Sequence, residues 1–311
     1  MRILRPWRAR PRCRVLYDLR RARRSLAGDA ERTASALLEE MGATRRLACA
    51  ARRGGALRRG RALRRLAGCG GPLARRELLR ATGDRHPDVR RIAREGLLEL
   101  RDPFSVRAGM AAFLGEQRLP YSWSRSFFLR LAVYAPGELR RLTAAHELTP
   151  QLEKLALEAL AETGDVAAAP LALAGLRSPD SEMRAAGVRL LGAIGDRRWA
   201  PVLTGLLEDP EWFVRAVAAS ALGSLGLDHG TLEALGAGLT DSHWWVRANA
   251  ARSLAQLGAA GMHQLARAAS AGHGFARQAA MPELLRLADA PVAPAAPVLD
   301  DAATRDLAVA S

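Results

Sequence analysis

Arginine is the residue type whose number and spacing stand out, and its rigid fork of donors suits carboxylates and phosphates. The first 100 residues hold 27 arginines, no lysine and 10 acids, whereas residues 101–311 hold 20 basic and 22 acidic groups. Net charge is therefore +17 in the first third and −2 in the rest. A codon bias explains arginine in place of lysine, but not the excess of charge. Over residues 1–80 such an excess predicts attachment to an anionic surface, either membrane headgroups or nucleic acid. Other chemistry is sparse. Cys13, Cys49 and Cys69 are odd in number with no C-x-x-C spacing, so neither a disulfide framework nor a zinc site is expected, which fits a reducing cytoplasm. His146-Glu147 is a single donor pair, and His86, His229, His243, His263 and His273 share no ligand spacing. There is no G-x-S-x-G, no P-loop and no dinucleotide fingerprint. The reading is a non-enzyme with no metal and no cofactor.

Two sets of aromatics could bind a partner. Tyr121-Ser-Trp-Ser-Arg-Ser-Phe-Phe128 gathers four aromatics in eight residues, and Trp212-Phe213 and Trp244-Trp245 are adjacent pairs. Phe213 and Trp245 are expected to be exposed, with Trp212 and Trp244 packing between repeats. Tyr121, Trp123, Arg125, Arg189, Phe213, Trp245 and Arg252 form the candidate binding surface.

The elements that must carry these residues repeat. Ser178 to Gly195, Asp209 to Gly226 and Asp241 to Gly258 restate one pattern, with Arg184, Arg215 and Arg247 spaced 31 and 32 residues apart. Asp84-Arg-His-Pro-Asp-Val-Arg90 restates its opening. A fixed period of this size marks stacked repeats. Trp199, Val202, Leu203, Leu206 and Leu207 recur at helical spacing, as do Val214, Ala218, Ala221, Leu222 and Leu225. Neither helix can bury its stripe alone, so pairs must stack. The expected fold is all-α: an α-solenoid, or superhelix, of antiparallel helix pairs in repeats of about 31 residues. Asp84, Asp209 and Asp241 are expected as N-caps of second helices, and Asp29 as the cap of an early helix. Glu153 and Ser178 depart from the arginine and aspartate positions.

Over these residues, best at Asp209-Pro-Glu-Trp-Phe-Val-Arg-Ala-Val-Ala-Ala-Ser-Ala-Leu-Gly-Ser-Leu-Gly226, the chain resembles the HEAT-repeat superfamily, in its short bacterial form also found in phycobilisome lyases. The resemblance is strong over 150–258, fair over 84–148 and weak before 84. It implies a hydrogen-bonded ladder of Arg90, Arg184, Arg215 and Arg247 with Asp84, Asp209 and Asp241. HEAT-repeat hydroxylases bind metal through several His-Glu pairs, and only one is present here.

The expected organisation is an arginine-rich lead over 1–27, basic degenerate helical repeats over 28–83, a HEAT-like solenoid over 84–289 and a disordered Pro/Ala tail over 290–311. The function expected first is a scaffold offering its concave second-helix face, including Arg189, Ser220 and Arg252, to a protein partner. It would be cytoplasmic, apposed to the inner membrane through the basic region, with an anchor upstream of Met1 as one way of achieving this. The alternatives are a nucleic-acid cradle like that of HEAT-like DNA glycosylases and, by resemblance alone, a bilin lyase.

Overall fold

The computed structural model describes residues 17–23, 25–26, 28–116, 119–226, 229–271 and 274–288. Residues 1–16 and 290–311, most of the expected lead and all of the expected tail, lie outside the described residues. Among those described, every regular element is helical.

Two compact units divide at Gly195 and Asp196. The first holds α1 (Gly28–Glu40), α2 (Ala43–Arg52), α3 (Ala56–Cys69), α4 (Gly71–Ala81), α5 (Pro87–Glu99), α6 (Pro103–Leu114), α7 (Tyr121–Tyr134), α8 (Pro136–Ala144), α9 (Pro150–Thr163), α10 (Ala169–Leu176) and α11 (Ser181–Ile194). The second holds α12 (Ala200–Gly205), α13 (Trp212–Leu225), α14 (His229–Gly238), α15 (Trp244–Gln256), α16 (Ala259–Ala271) and α17 (Phe275–Ala288). Short 3₁₀ turns lead into α10 and α12. The odd-numbered helices from α3 onward are the second helices of successive pairs, and they begin 29 to 34 residues apart. The Ala/Leu-rich stripes do what their spacing demands. In the first unit α5 packs on α3, α4, α6 and α7, and every residue from Ile92 to Leu98 is buried.

Glycine sets the chain reversals. Gly164, Gly195, Gly226 and Gly258, one per repeat, all have positive φ, between 61° and 93°. In that left-handed region glycine carries no Cβ penalty, so the repeated glycine ends each second helix.

The aspartate caps differ from expectation. The N-caps of α5, α13 and α15 are His86, Glu211 and His243, and Asp84, Asp209 and Asp241 stand two residues earlier. Their Oδ1 atoms accept the N–H groups of those three residues at 2.9, 2.9 and 2.7 Å. These are turn bonds that shape the loop, leaving the carboxylate's second oxygen available to another partner. Asp29 is likewise not a cap, because α1 begins at Gly28, and it instead pairs with Arg32 in the first turn. The aspartates that do cap are Asp102, Asp165, Asp180 and Asp196.

Candidate interaction surface

The fourth residue of each second helix reads Arg59, Arg90, Ser124, Glu153, Arg184, Arg215, Arg247 and Gln278. Where it is arginine, one arm turns back to its own loop. Nη1 of Arg90 donates to the Asp84 carbonyl at 3.0 Å, Arg184 to Ser178 at 3.1 Å, Arg215 to Asp209 at 2.8 Å and Arg247 to Asp241 at 2.7 Å. The other edge of the fork reaches the next loop. Nε and Nη2 of Arg59 bind Asp84 at 3.0 and 2.8 Å, and those of Arg215 bind Asp241 at 2.7 and 3.1 Å. Arg90 uses the same two atoms on Glu116. One planar side chain thus fastens two consecutive loops, which an ammonium cannot do with the same geometry.

Charge follows this geometry. Burial pushes the Asp241 carboxyl up, but the bond from Arg215 and the N–H of His243 hold it below its ordinary value. Glu116 receives Arg90 and Arg94, and it is drawn down to about 2, first by its hydrogen bond to Arg90. A depressed carboxylate contributes stability above its unfolded pKa, and that contribution is lost as pH falls through the folded value. Glu116→Gln is therefore expected to cost about 2 kcal/mol at pH 7, discounted for partial exposure. The gap to the parent should close between about pH 4.5 and pH 2. Urea melts at pH 7 and pH 2.5 check this, and a gap unchanged by pH would contradict it.

The two departures fall at one rung. The 25-residue step that joins Arg59 to Asp84 also joins Glu153 to Ser178. Glu153 faces Nδ1 of His146 at 2.9 Å. The Ser178 hydroxyl takes the turn bond of the replaced carboxylate, accepting the Asp180 N–H at 3.2 Å.

The remaining predicted residues lie on the exposed side of the second helices or against a neighbour. Tyr121 is exposed, and its hydroxyl lies 3.4 Å from Glu158. Trp123 is half-buried, with the Arg91 guanidinium 5.1 Å above its ring. Arg125 pairs with Glu162 at 2.7 Å. Phe127 and Phe128 are core, stacked on and edge-on to Phe113. Beside them a polar groove of about 470 Å³ is lined by Arg64, Arg91, Glu95, Glu99, Arg130 and Tyr134 among others. Arg189, Ser220 and Arg252 are exposed, each at the ninth position of its helix. Arg252 lies 3.9 Å from Glu283, the ninth residue of the next second helix, so this position forms a row.

The exposed aromatic pair is not the one expected. Phe213 is half-buried edge-on to Trp212, which stacks on His243 at 5.4 Å. Trp244 is as open as Trp245, at 59% and 56% exposure, with their rings 4.7 Å apart. Among the described residues no histidine ring stacks on Trp244 as His243 does on Trp212, and its consensus position did not bury it.

The expected basic face resolves into α3. Arg58, Arg61, Arg64 and Arg65 are exposed on one side of this helix around Leu57, and none has a carboxylate partner among the described residues. The ladder residues Arg59 and Glu116 and the exposed Trp244 are what sequence reasoning missed. Arg59 stands 31 residues before Arg90, a step that was there to be followed.

Among the described residues, no group of three or more His, Cys, Asp or Glu side chains could hold a metal ion, and no helix is long and apolar enough to cross a membrane. A search of curated proteins finds no match. Solved structures of similar architecture include an engineered protein (18% identity, 88% of this chain and 84% of that one, TM-score 0.42). Importin beta is similar over 86% of this chain and 43% of its own (14% identity, TM-score 0.47). Human deoxyhypusine hydroxylase is similar over 79% of this chain and 97% of its own (17% identity, TM-score 0.33). The family of HEAT repeats matches residues 139–223, 168–255 and 206–292. Residues 139–292 are therefore similar to HEAT repeats, and the helix pairs of this all-α chain are those of an α-solenoid.

Proposed function

We propose that the chain is a non-enzymatic scaffold that binds a protein partner through the exposed side of its second helices. The observation carrying this is a contrast between two positions. The fourth position of the second helices, which fastens loops, is arginine in five of eight cases. The ninth, exposed at Arg64 and Arg189 in the first unit and at Ser220 and Arg252 in the second, half-buried at Leu129, Glu158 and Glu283 and buried at Glu95, changes in type from helix to helix. Stacking demands only the frame. A surface whose chemistry changes from helix to helix suits recognition of a particular partner. Capture by the full chain, compared with an Arg189→Glu/Arg252→Glu variant, tests this. Loss of a captured protein at unchanged stability supports it.

A second reading has its own observation, the carboxylate-free arginine face of α3. An anionic polymer or surface would complement it, and nucleic acid is the form most readily measured. Binding to duplex DNA should weaken with salt at a log–log slope of roughly −3, the value for three or four phosphates neutralised. Arg58→Ala/Arg61→Ala/Arg65→Ala should flatten that slope. If there is no binding to duplex at about 50 mM salt, nucleic acid is ruled out and vesicles containing anionic lipid become the probe.

A further inference from the structure

Three second helices of the first unit line the polar groove of about 470 Å³. Helix α5 packs on both α3 and α7, so Arg64 of α3 stands on one wall and Ser126, Arg130 and Tyr134 of α7 on the other. Donors and acceptors in this groove do not balance. Arg91 gives Nη1 to Glu95 at 2.9 Å and lies 3.8 Å from Asp88. Arg130 gives Nη1 to Glu99 at 3.2 Å, and its Nε lies 3.4 Å from Glu95. Both glutamates of the groove are therefore met. Arg64 is exposed and has no carboxylate partner among the described residues. The hydroxyls of Ser126 and Tyr134 have no hydrogen-bond partner among them either. A guanidinium and two hydroxyls face a groove whose own acids are already taken.

The walls are set before anything binds. The Arg91 guanidinium lies 5.1 Å over the Trp123 ring, and that of Arg101 lies 5.4 Å over the Tyr134 ring. Side chains already held in place lose little freedom when a ligand arrives. The groove also continues. A second depression of about 460 Å³ lies along α7 and shares Ser126, Arg130 and Tyr134 with the first. Half-buried Leu129 and Val133, the latter 63% exposed, make its ground apolar.

We propose that this trough binds a short acidic and apolar segment of a partner protein, with a glutamate or aspartate carboxylate on Arg64 and a neighbouring apolar side chain on Leu129 and Val133. The inference rests on the scaffold reading and gives its partner a chemistry. Arginine receives a carboxylate through two parallel N–H groups, which fixes register as well as adding energy. Arginine clusters are a recurrent means of reading acidic motifs. Two depressions joined along one helix suit an extended segment better than a small molecule, which is held in a closed cleft. Glu95 and Glu99 argue against nucleic acid in this groove. A strand would carry one phosphate per nucleotide past them, and like charges set side by side are costly. A peptide brings a single acid to the one lining arginine that lacks a carboxylate.

The test passes capped, fully degenerate peptides of about eight residues over the immobilised full chain at about 50 mM salt, where surface charge is weakly screened. The retained peptides are sequenced. Glutamate and aspartate should be enriched about tenfold beside an apolar residue, the factor for about 1.4 kcal/mol. Arg64→Glu should turn the charge preference towards lysine and arginine, and Val133→Asp should remove the apolar one. Neither outcome follows from a merely structural role. Arg58→Ala/Arg61→Ala/Arg65→Ala, on the same helix but outside the groove, should leave both preferences in place. A retained pool without charge preference, a pool that Arg64→Glu leaves acidic, or no retention at all would overturn the proposal. So would a thymidine oligonucleotide that displaces the acidic peptides and depends on Arg64, because nucleic acid would then be the occupant. Failure here is separable from failure of the scaffold reading. Capture lost in Arg189→Glu/Arg252→Glu with no peptide selected removes the groove alone, and peptides selected with capture unchanged remove that row alone.

Discussion

Gly261→Ala destabilises the second unit by about 3 kcal/mol and lowers its melting temperature by roughly 10 °C, at the upper end of what overpacking costs. Gly261 lies in the first turn of α16, where that helix crosses the end of α15. A Cβ there would sit 1.8 Å from the Leu254 carbonyl oxygen and 2.7 Å from its carbon. Both are backbone atoms, so no rotamer change can relieve the overlap. One helix must move off the other, and the Ala and Leu side chains buried between them lose contact. Gly205→Ala is the control. A Cβ at Gly205 meets nothing within 4 Å, and its φ of −59° suits alanine, so stability should hold or rise slightly. Differential scanning calorimetry reads both variants. A Gly261→Ala melt within about 2 °C of the parent would show that the two helices do not cross so closely.

Asp84→Ala has the second large effect. It leaves Arg59, a residue only 6% exposed, without its carboxylate. Removing one partner of a buried bidentate pair costs about 3 kcal/mol, because the remaining charge stays desolvated. The same variant also loses the turn bond to the His86 N–H. Arg59→Ala alone removes the buried charge and leaves an acid that turns towards water, so it should cost less. The double variant should fall well short of the sum, giving a coupling of about 1–3 kcal/mol in a double-mutant cycle. Chemical denaturation of the four proteins supplies the cycle. Simple additivity would mean that the fork does not join the two loops.

These two predictions bear on how much of the fold was legible in the sequence. The helix pairs were, because a stripe at 3.6-residue spacing has to be buried and a recurrent glycine has to end something. Gly195, Gly226 and Gly258, each the last residue of the repeated pattern, announced the boundaries, and all three adopt positive φ. Loop chemistry was less legible. An aspartate near a helix start reads as a cap, yet Asp84, Asp209 and Asp241 stand two residues too early and close the turn instead. Composition could not tell these apart, since the same carboxylate serves either geometry. Glu116 was hidden because it takes the place of an aspartate in a repeat where α6 ends and α7 starts late. The close crossing at Gly261 left no pattern at all, being a property of two helices and not of either one.

The candidate surface was legible in part. Arg189 and Arg252 were expected on a concave second-helix face offered to a partner, and of that expectation the structure shows that both are exposed. The aromatics were harder. Trp212 and Trp244 occupy the same consensus position, and one stacks on His243 while the other is open to solvent. What separates them is the neighbouring repeat, which a single repeat's sequence does not contain.

The distinction between a repeated frame and a variable face makes one direct demand. Full-length protein and its Arg189→Glu/Arg252→Glu variant should melt within about 2 °C of one another, because neither side chain is part of the frame. Quantitative capture from the native host should then show at least one protein retained by the parent and lost from the variant. An identical set of captured proteins at equal stability would contradict the assignment of recognition to the exposed row of the second helices.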